Sequence, residues 1–202
     1  MMNFSKICIA TTNKHKLKEI YAIFEKSNLG NIKFYTLNDF ENIPEPDEPF
    51  ENFLDNAIYK AKFYSKYTNM PTLSDDTGLE VVNLNNFPGV HTKRFLDECG
   101  GFVSANKKLE EMLNGKDPLS RFVCVSVIFD PSTNETLHAR GEMNGKIVFE
   151  NIAKNGFAYD TMFIPEGYND TLAALGDAIK MEVSHRAHAI RKLIEMMSAQ
   201  ND

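Results

Sequence analysis

The chain predicts an α/β protein with a mixed central sheet flanked by helices. Three observations carry that expectation. The opening reads strand, helix, strand, and a crossover of this kind favours a parallel pair. Arg121 to Phe129 is almost wholly apolar, as a central strand is, and Thr136 to Val148 returns beside it. Several other segments repeat their apolar residues at helical spacing. The 202 residues are enough to bury one sizeable core, so a single domain over 1–202 is expected.

Ile7 to Ala10 is a short apolar run bounded by polar residues and is read as a buried strand. Thr11 to Asn13 then turn the chain into a helix over about Lys14 to Lys26, where Leu17, Ile20, Tyr21 and Phe24 make one stripe. Ile32 to Leu37 is the second strand. Pro44, Pro46 and Pro49 stand among Glu41, Glu45, Asp47 and Glu48, so Glu41 to Pro49 is expected to be irregular. In the helix that follows, Phe53, Leu54, Ala57, Ile58, Ala61 and Tyr64 cover one face. Beyond Pro71, Thr72-Leu73-Ser74 leads into the pair Asp75-Asp76 and then a strand over Leu79 to Leu84. Asn85-Asn86 and Pro88-Gly89 are turn signals. A helix over about Phe102 to Leu113 is expected to carry Val103, Leu109 and Leu113 as its apolar side. Gly141 and Gly145 are read as a bend or bulge in one or two strands at Thr136 to Val148. Gly156 to Gly167 reads as a loop rich in glycine and aromatic residues. The closing helix has Ser184 as its cap and Ile190, Leu193, Ile194 and Met197 at i, i+3, i+4 and i+7.

Composition excludes several functions. The formal net charge is -6, so the protein's overall field repels a polyanion, and there is no basic stripe. Nucleic acid is therefore not the expected partner, and any nucleotide must be held by locally placed cations, N–H groups or metal. Cys8, Cys99 and Cys124 are odd in number and widely spaced, which is neither a disulfide framework nor a zinc pattern. Cys8 and Cys124 fall in strand-like runs and are expected to be core thiols. Met1 to Lys6 lacks a leader-like layout, and no apolar stretch is long enough to span a bilayer. A cytoplasmic location with no membrane partner is the expectation.

Five groups of residues carry candidate chemistry. Adjacent side chains on an extended segment point to opposite sides, so Asp75 and Asp76 should not share one ion symmetrically. One is expected to face a site and the other to hold a partner beside it; the alternative is a turn in which both bond local N–H groups. A hard ion such as Mg²⁺ needs one or two carboxylates plus phosphate oxygens. The stiff acidic loop would present a second ligand, and its proline spacing allows Glu45, Asp47 or Glu48. Thr11, Thr12, Asn13 and Lys16 lie where a strand becomes a helix, and a helix N-terminus attracts anions; an ordinary cap followed by solvated lysines is the alternative. Arg186 in a first helical turn opposes the helix dipole, and its fork of donors suits a phosphate or a base carbonyl. His185 beside it is either a site residue or a structural one. Phe157-Ala158-Tyr159-Asp160 offers a ring to stack a base and a carboxylate to bond it, or an aromatic core segment.

Taken in order, these segments resemble the inosine/xanthosine triphosphate pyrophosphatase family over nearly the whole chain. Ala10 to Lys16 is similar to its phosphate motif, and Phe53 to Ala57 with Lys60-Ala61 to its second-helix signature. Ser74 to Val81 with Pro88-Gly89-Val90 is similar to its acidic motif. Gly156 to Asp160 with Phe163 and Pro165 to Gly167 is similar to its base-binding loop. Lys180 and Ser184 to Ala187 resemble its C-terminal motif. Thr12, Ala158 and Thr161 depart from it, standing where glycine, glycine and proline are usual. The resemblance implies an elongated, two-lobed fold around one central cleft, and a homodimer. It implies Mg²⁺-dependent cleavage of ITP, dITP and XTP between the α and β phosphates. Glu48 and Asp76 would hold the metal, and Asp76, with Asp75 near it, would orient or deprotonate the water. Thr11, Thr12, Asn13, Lys16, Thr77 and Lys180 would bind the phosphate side. Phe157, Ala158, Tyr159, Asp160, His185 and Arg186 would bind the base. The competing reading is a nucleotide sensor with the same residues and no turnover.

Overall fold

The computed structural model describes residues 4–27, 29, 32–149 and 158–199. The elements run β1 (Lys6–Ile9), α1 (Lys14–Glu25), β2 (Lys33–Thr36), α2 (Phe53–Thr68), β3 (Thr72–Val81), β4 (Phe87–Gly89) and α3 (Thr92–Glu98). They continue with α4 (Phe102–Leu113), β5 (Leu119–Asp130), β6 (Glu135–Ile147), β7 (Phe163–Pro165), α5 (Leu172–Val183) and α6 (His185–Ala199). The strand order is β2-β1-β3-β5-β6-β7, with β4 paired to β3. β1 lies parallel to β2 and β3, whereas β3–β4 and β6–β7 are antiparallel. The sheet is therefore mixed, as expected from the sequence.

The chain divides into two compact units, each described by itself: residues 1–76, 124–141 and 186–202, and residues 77–123 and 142–185. In the first, Cys8 pairs with Tyr35 on one side and Thr72 on the other. β1 is buried from Ile7 onward because both neighbours are strands. Cys8 packs with Ala10, Leu37, Tyr64 and Met70, and burial pushes its thiol up to about 12. Asn52 caps α2 by accepting from the Asp55 N–H at 2.9 Å. The acidic, proline-rich segment carries no regular structure, as its prolines require.

The second unit has its own core, in which Leu79, Leu109, Phe122, Ile147, Met162 and Phe163 are buried. Thr92 Oγ1 accepts from the Leu79 N–H at 2.8 Å and donates to the Gly89 carbonyl at 2.6 Å, tying α3 to the β3–β4 pair. A Cβ on Gly78 would lie 2.1 Å from that same carbonyl oxygen. Gly78→Ala is thus expected to destabilise the fold by about 1–3 kcal/mol through overpacking, read as a lower urea midpoint; an unchanged midpoint would show that β4 moves freely.

Several expectations are corrected. The strand expected over Leu79 to Leu84 instead runs Thr72–Val81 and takes in the paired aspartates, so they are extended as read and the alternative of a turn falls. Asn85-Asn86 form the expected turn, but Pro88-Gly89, also read as a turn signal, belong to the strand β4. The short α3 went unseen because its two turns bury only Thr92 and Phe95. On α4, Leu109 and Leu113 are buried as expected, but Val103 is 60% exposed and Ala105 completes the buried stripe in its place. β6 is one continuous strand, and Gly145 serves a close approach rather than a bend: a Cβ there would lie 2.2 Å from the Ile164 carbonyl of β7. β7 lies inside the stretch expected to be loop, and α5 lies where no element was expected. Three residues are too few to show alternation, and α5 is interrupted at Gly176, where φ is 82°.

Candidate active site

Asp75 and Asp76 are both buried, and alternation along β3 gives them separate partners. Asp75 Oδ2 accepts from Lys16 Nζ at 2.9 Å and from Arg186 Nε and Nη2 at 3.4 Å each. The buried Cys124 thiol points at the same oxygen from 3.8 Å. Burial by itself would raise the pKa of Asp75; the cations Lys16, Arg186 and Lys60 outweigh it and hold the carboxyl far below the usual range. Asp76 has a different environment. Its Oδ1 accepts from Lys60 Nζ at 2.9 Å, and Asn56 Nδ2 lies 3.5 Å from Oδ2. Here burial prevails over Lys60, with Glu48 adding to it, and the pKa is raised. One strand thus holds a firmly ionised carboxylate beside one with greater proton affinity.

Lys60 also donates to Glu48 Oε1 at 2.6 Å, so Glu48 and Asp76 converge on one ammonium. Burial works against that charge, and Asp76, Glu48 and Asp75 override it, raising the pKa of Lys60. Of the three acidic residues that the proline spacing left open, Glu48 is the one placed with Asp76 on a common cation. Asn56 sets this up. It accepts from the Phe50 N–H at 2.9 Å and donates to the Phe50 carbonyl at 3.0 Å, pinning the end of the acidic loop to α2.

At the start of α1, Asn13 Oδ1 accepts from the His15 and Lys16 N–H groups at 2.9 and 3.3 Å, and Thr11 Oγ1 accepts from the Asn13 N–H. Asn13 therefore acts as the helix cap here, Thr12 is exposed, and Lys16 reaches from this turn to Asp75. Arg186, expected at the base, has its guanidinium between two carboxylates: Nη1 donates to Glu19 while Nε and Nη2 face Asp75. Both carboxylates, Asp75 then Glu19, overcome the cost of burial and keep the arginine charged.

In the second unit, Lys180 Nζ donates to Asp160 Oδ2 at 2.6 Å, joining two residues that the sequence singled out separately. The His185 ring stacks on Phe122 with centroids 5.1 Å apart. Tyr159 is buried against Phe122, and burial raises its hydroxyl pKa. Thr77 is half-buried on β3. Phe157 lies outside the described residues; of Ala158 the structure describes only the backbone, in a 3-10 turn over Ala158–Thr161. Thr161, the other departure in this segment, is buried.

Sequence reasoning gave Asn56, Lys60 and Glu19 no role in the site and took Cys124 for a core thiol, which is buried as expected. A signal existed for the first two. They stand at i and i+4 on α2, and a polar pair at that spacing beside an apolar stripe shares one face. Glu19 stood out less, as one acidic residue within an otherwise amphipathic helix. Among the described residues no cluster of three or more His, Cys, Asp or Glu groups is placed to hold a metal ion. No described helix is long and apolar enough to cross a membrane.

Comparison with known proteins converges on one group. Residues 7–196 match the model of the Ham1 family. A protein of Listeria innocua called dITP/XTP pyrophosphatase is 38% identical over 192 residues, covering 94% of this chain and 93% of its own. One of the same name from Aquifex aeolicus is 36% identical and covers 95% and 96%. The solved structure of a HAM1 protein from Coxiella burnetii superposes with a TM-score of 0.84 at 30% identity, covering 96% of this chain and 98% of that one.

Proposed function

The chain belongs to the Ham1 family, and on that footing we propose that it hydrolyses ITP, dITP and XTP to the monophosphate and pyrophosphate. The observation that carries this reading is the convergence of Glu48 and Asp76 on one cation, with the adjacent Asp75 held by Lys16 from the first turn of α1. Two carboxylates that already share an ammonium suit a hard dication with oxygen ligands, so Glu48 and Asp76 would hold Mg²⁺. When bound, the metal would neutralise the triphosphate and activate the attacking oxygen.

The protein's own groups do the rest. Asp76 orients or deprotonates a water that attacks the α-phosphorus. The bond to the α–β bridging oxygen breaks, and pyrophosphate leaves with that oxygen. Lys16 and the N-terminal N–H groups of α1, with Thr11 and Thr12, take the phosphate charge. In the second unit Lys180, expected on the phosphate side, is paired with Asp160 of the base-binding segment. On that ground the reading moves it to the base, where it donates to the purine O6, with Phe157, Tyr159 and His185 on the aromatic side. Hypoxanthine and xanthine accept at O6, whereas adenine presents a donor there. A donor facing a donor costs roughly 1–3 kcal/mol per lost partner. Lys180→Met should therefore narrow the ITP-over-ATP ratio of kcat/KM about ten-fold or more. An unchanged ratio would place O6 recognition elsewhere.

The reading takes residues 1–202 as one functional domain, and it includes a homodimer working in the cytoplasm. The test is pyrophosphate release from ITP, XTP, GTP and ATP with and without Mg²⁺. Mg²⁺-dependent release from ITP and XTP supports it. Binding of those nucleotides without release would replace it with a sensor.

A further inference from the structure

Asp75 has two cationic partners that differ in freedom. The Lys16 side chain is 23% exposed and stands at the phosphate-facing start of α1. The Arg186 side chain is 7% exposed and is anchored by Glu19, itself buried, three residues beyond Lys16 on the same helix. Residues three apart share a helix face. Glu19, Asp75, Lys16 and Arg186 make two negative and two positive charges, so the group is neutral. A triphosphate that binds Lys16 takes one cation from it. Asp75, 3% exposed, would then face added phosphate charge with a loosened partner unless Arg186 stayed in place.

We infer that Glu19 is a positioning residue, which holds Arg186 against Asp75 so that this carboxylate keeps its place when Lys16 turns to the polyphosphate; the inference rests on the nucleotide reading above. Lys16 is the partner that moves, because it is nearer solvent and has one carboxylate to leave. Arg186 is the partner that stays, because its fork is divided between two carboxylates. A neutral group at position 19 would leave two cations bearing on one carboxylate. Arg186 would draw Asp75 toward itself and off the line set by β3. The expected consequence lies in turnover, not in nucleotide affinity, since Glu19 faces Arg186 and not the phosphates.

Glu19→Gln keeps the shape and removes the charge. Its kcat for ITP should fall about ten-fold or more while KM changes by less than about three-fold. In the double variant with Asp75→Asn, kcat should fall no further than in Asp75→Asn alone, because both changes disable one device. A folded Glu19→Gln protein with unchanged kcat, or losses that multiply, would overturn the inference. Should Glu19→Gln not fold, Glu19→Asp keeps the charge but shortens the reach, and carries the same expectation. If the unaltered protein releases pyrophosphate from no triphosphate, the functional reading fails on its own. The clamp is then read by urea unfolding of the same four proteins. Non-additive stability losses would support it, and additive ones would refute it.

Discussion

Asp76→Asn is expected to lower kcat for ITP by about 10²–10⁴-fold, the span that a positioned acid–base group contributes. Asparagine has the same shape, so Asn56 and Lys60 keep a neighbour where they had one. The charge is lost, and with it half of the carboxylate pair that would hold the metal. Folding should survive. Burial raises the pKa of Asp76, which means that its ionised form is held against a cost in the folded state. Removing that charge should leave the thermal midpoint unchanged or higher, and Lys60 retains Glu48. Nucleotide binding without metal, followed by calorimetry, should remain measurable. Wild-type turnover would return Asp76 to a structural role.

Arg186→Leu is expected to have the largest effect on stability. It leaves Asp75 and Glu19 buried without the guanidinium that links them. Breaking a buried ion pair from one side costs about 3–5 kcal/mol, because an uncompensated charge stays behind. For a chain of this size that is a fall of roughly 6–20 °C in Tm. Lys16 remains on Asp75 and tempers the loss there, so most of the cost falls on Glu19. Differential scanning calorimetry reads it directly. A shift within about 1 °C would mean that water replaces the guanidinium at both carboxylates.

Much of the fold was legible because strong patterns need no partner to be seen. β1, α1, β2, α2 and α6 stand where the run lengths and helical stripes put them. Failures came where an element is too short to repeat a period, as in α3, β4 and β7. They also came where one glycine interrupts the pattern, as in α5. Val103 was misjudged because a stripe read from apolarity alone ignored the small Ala105, which the helix buries instead.

The sequence by itself determined the class of fold, the acidic pair, the acidic loop and the candidate phosphate turn, since each is a local arrangement of neighbouring residues. Only the tertiary structure decided which charge faces which. Residues 16 and 19 lie far from 75 and from 186 along the chain, yet Lys16 and Arg186 meet on the Asp75 carboxylate while Glu19 accepts from the same arginine. Glu48 meets Asp76 across Lys60 because Asn56 ties the loop to α2. Such pairings follow from long-range packing, and electrostatics in a buried site depends on distances of a few ångströms that no local pattern encodes.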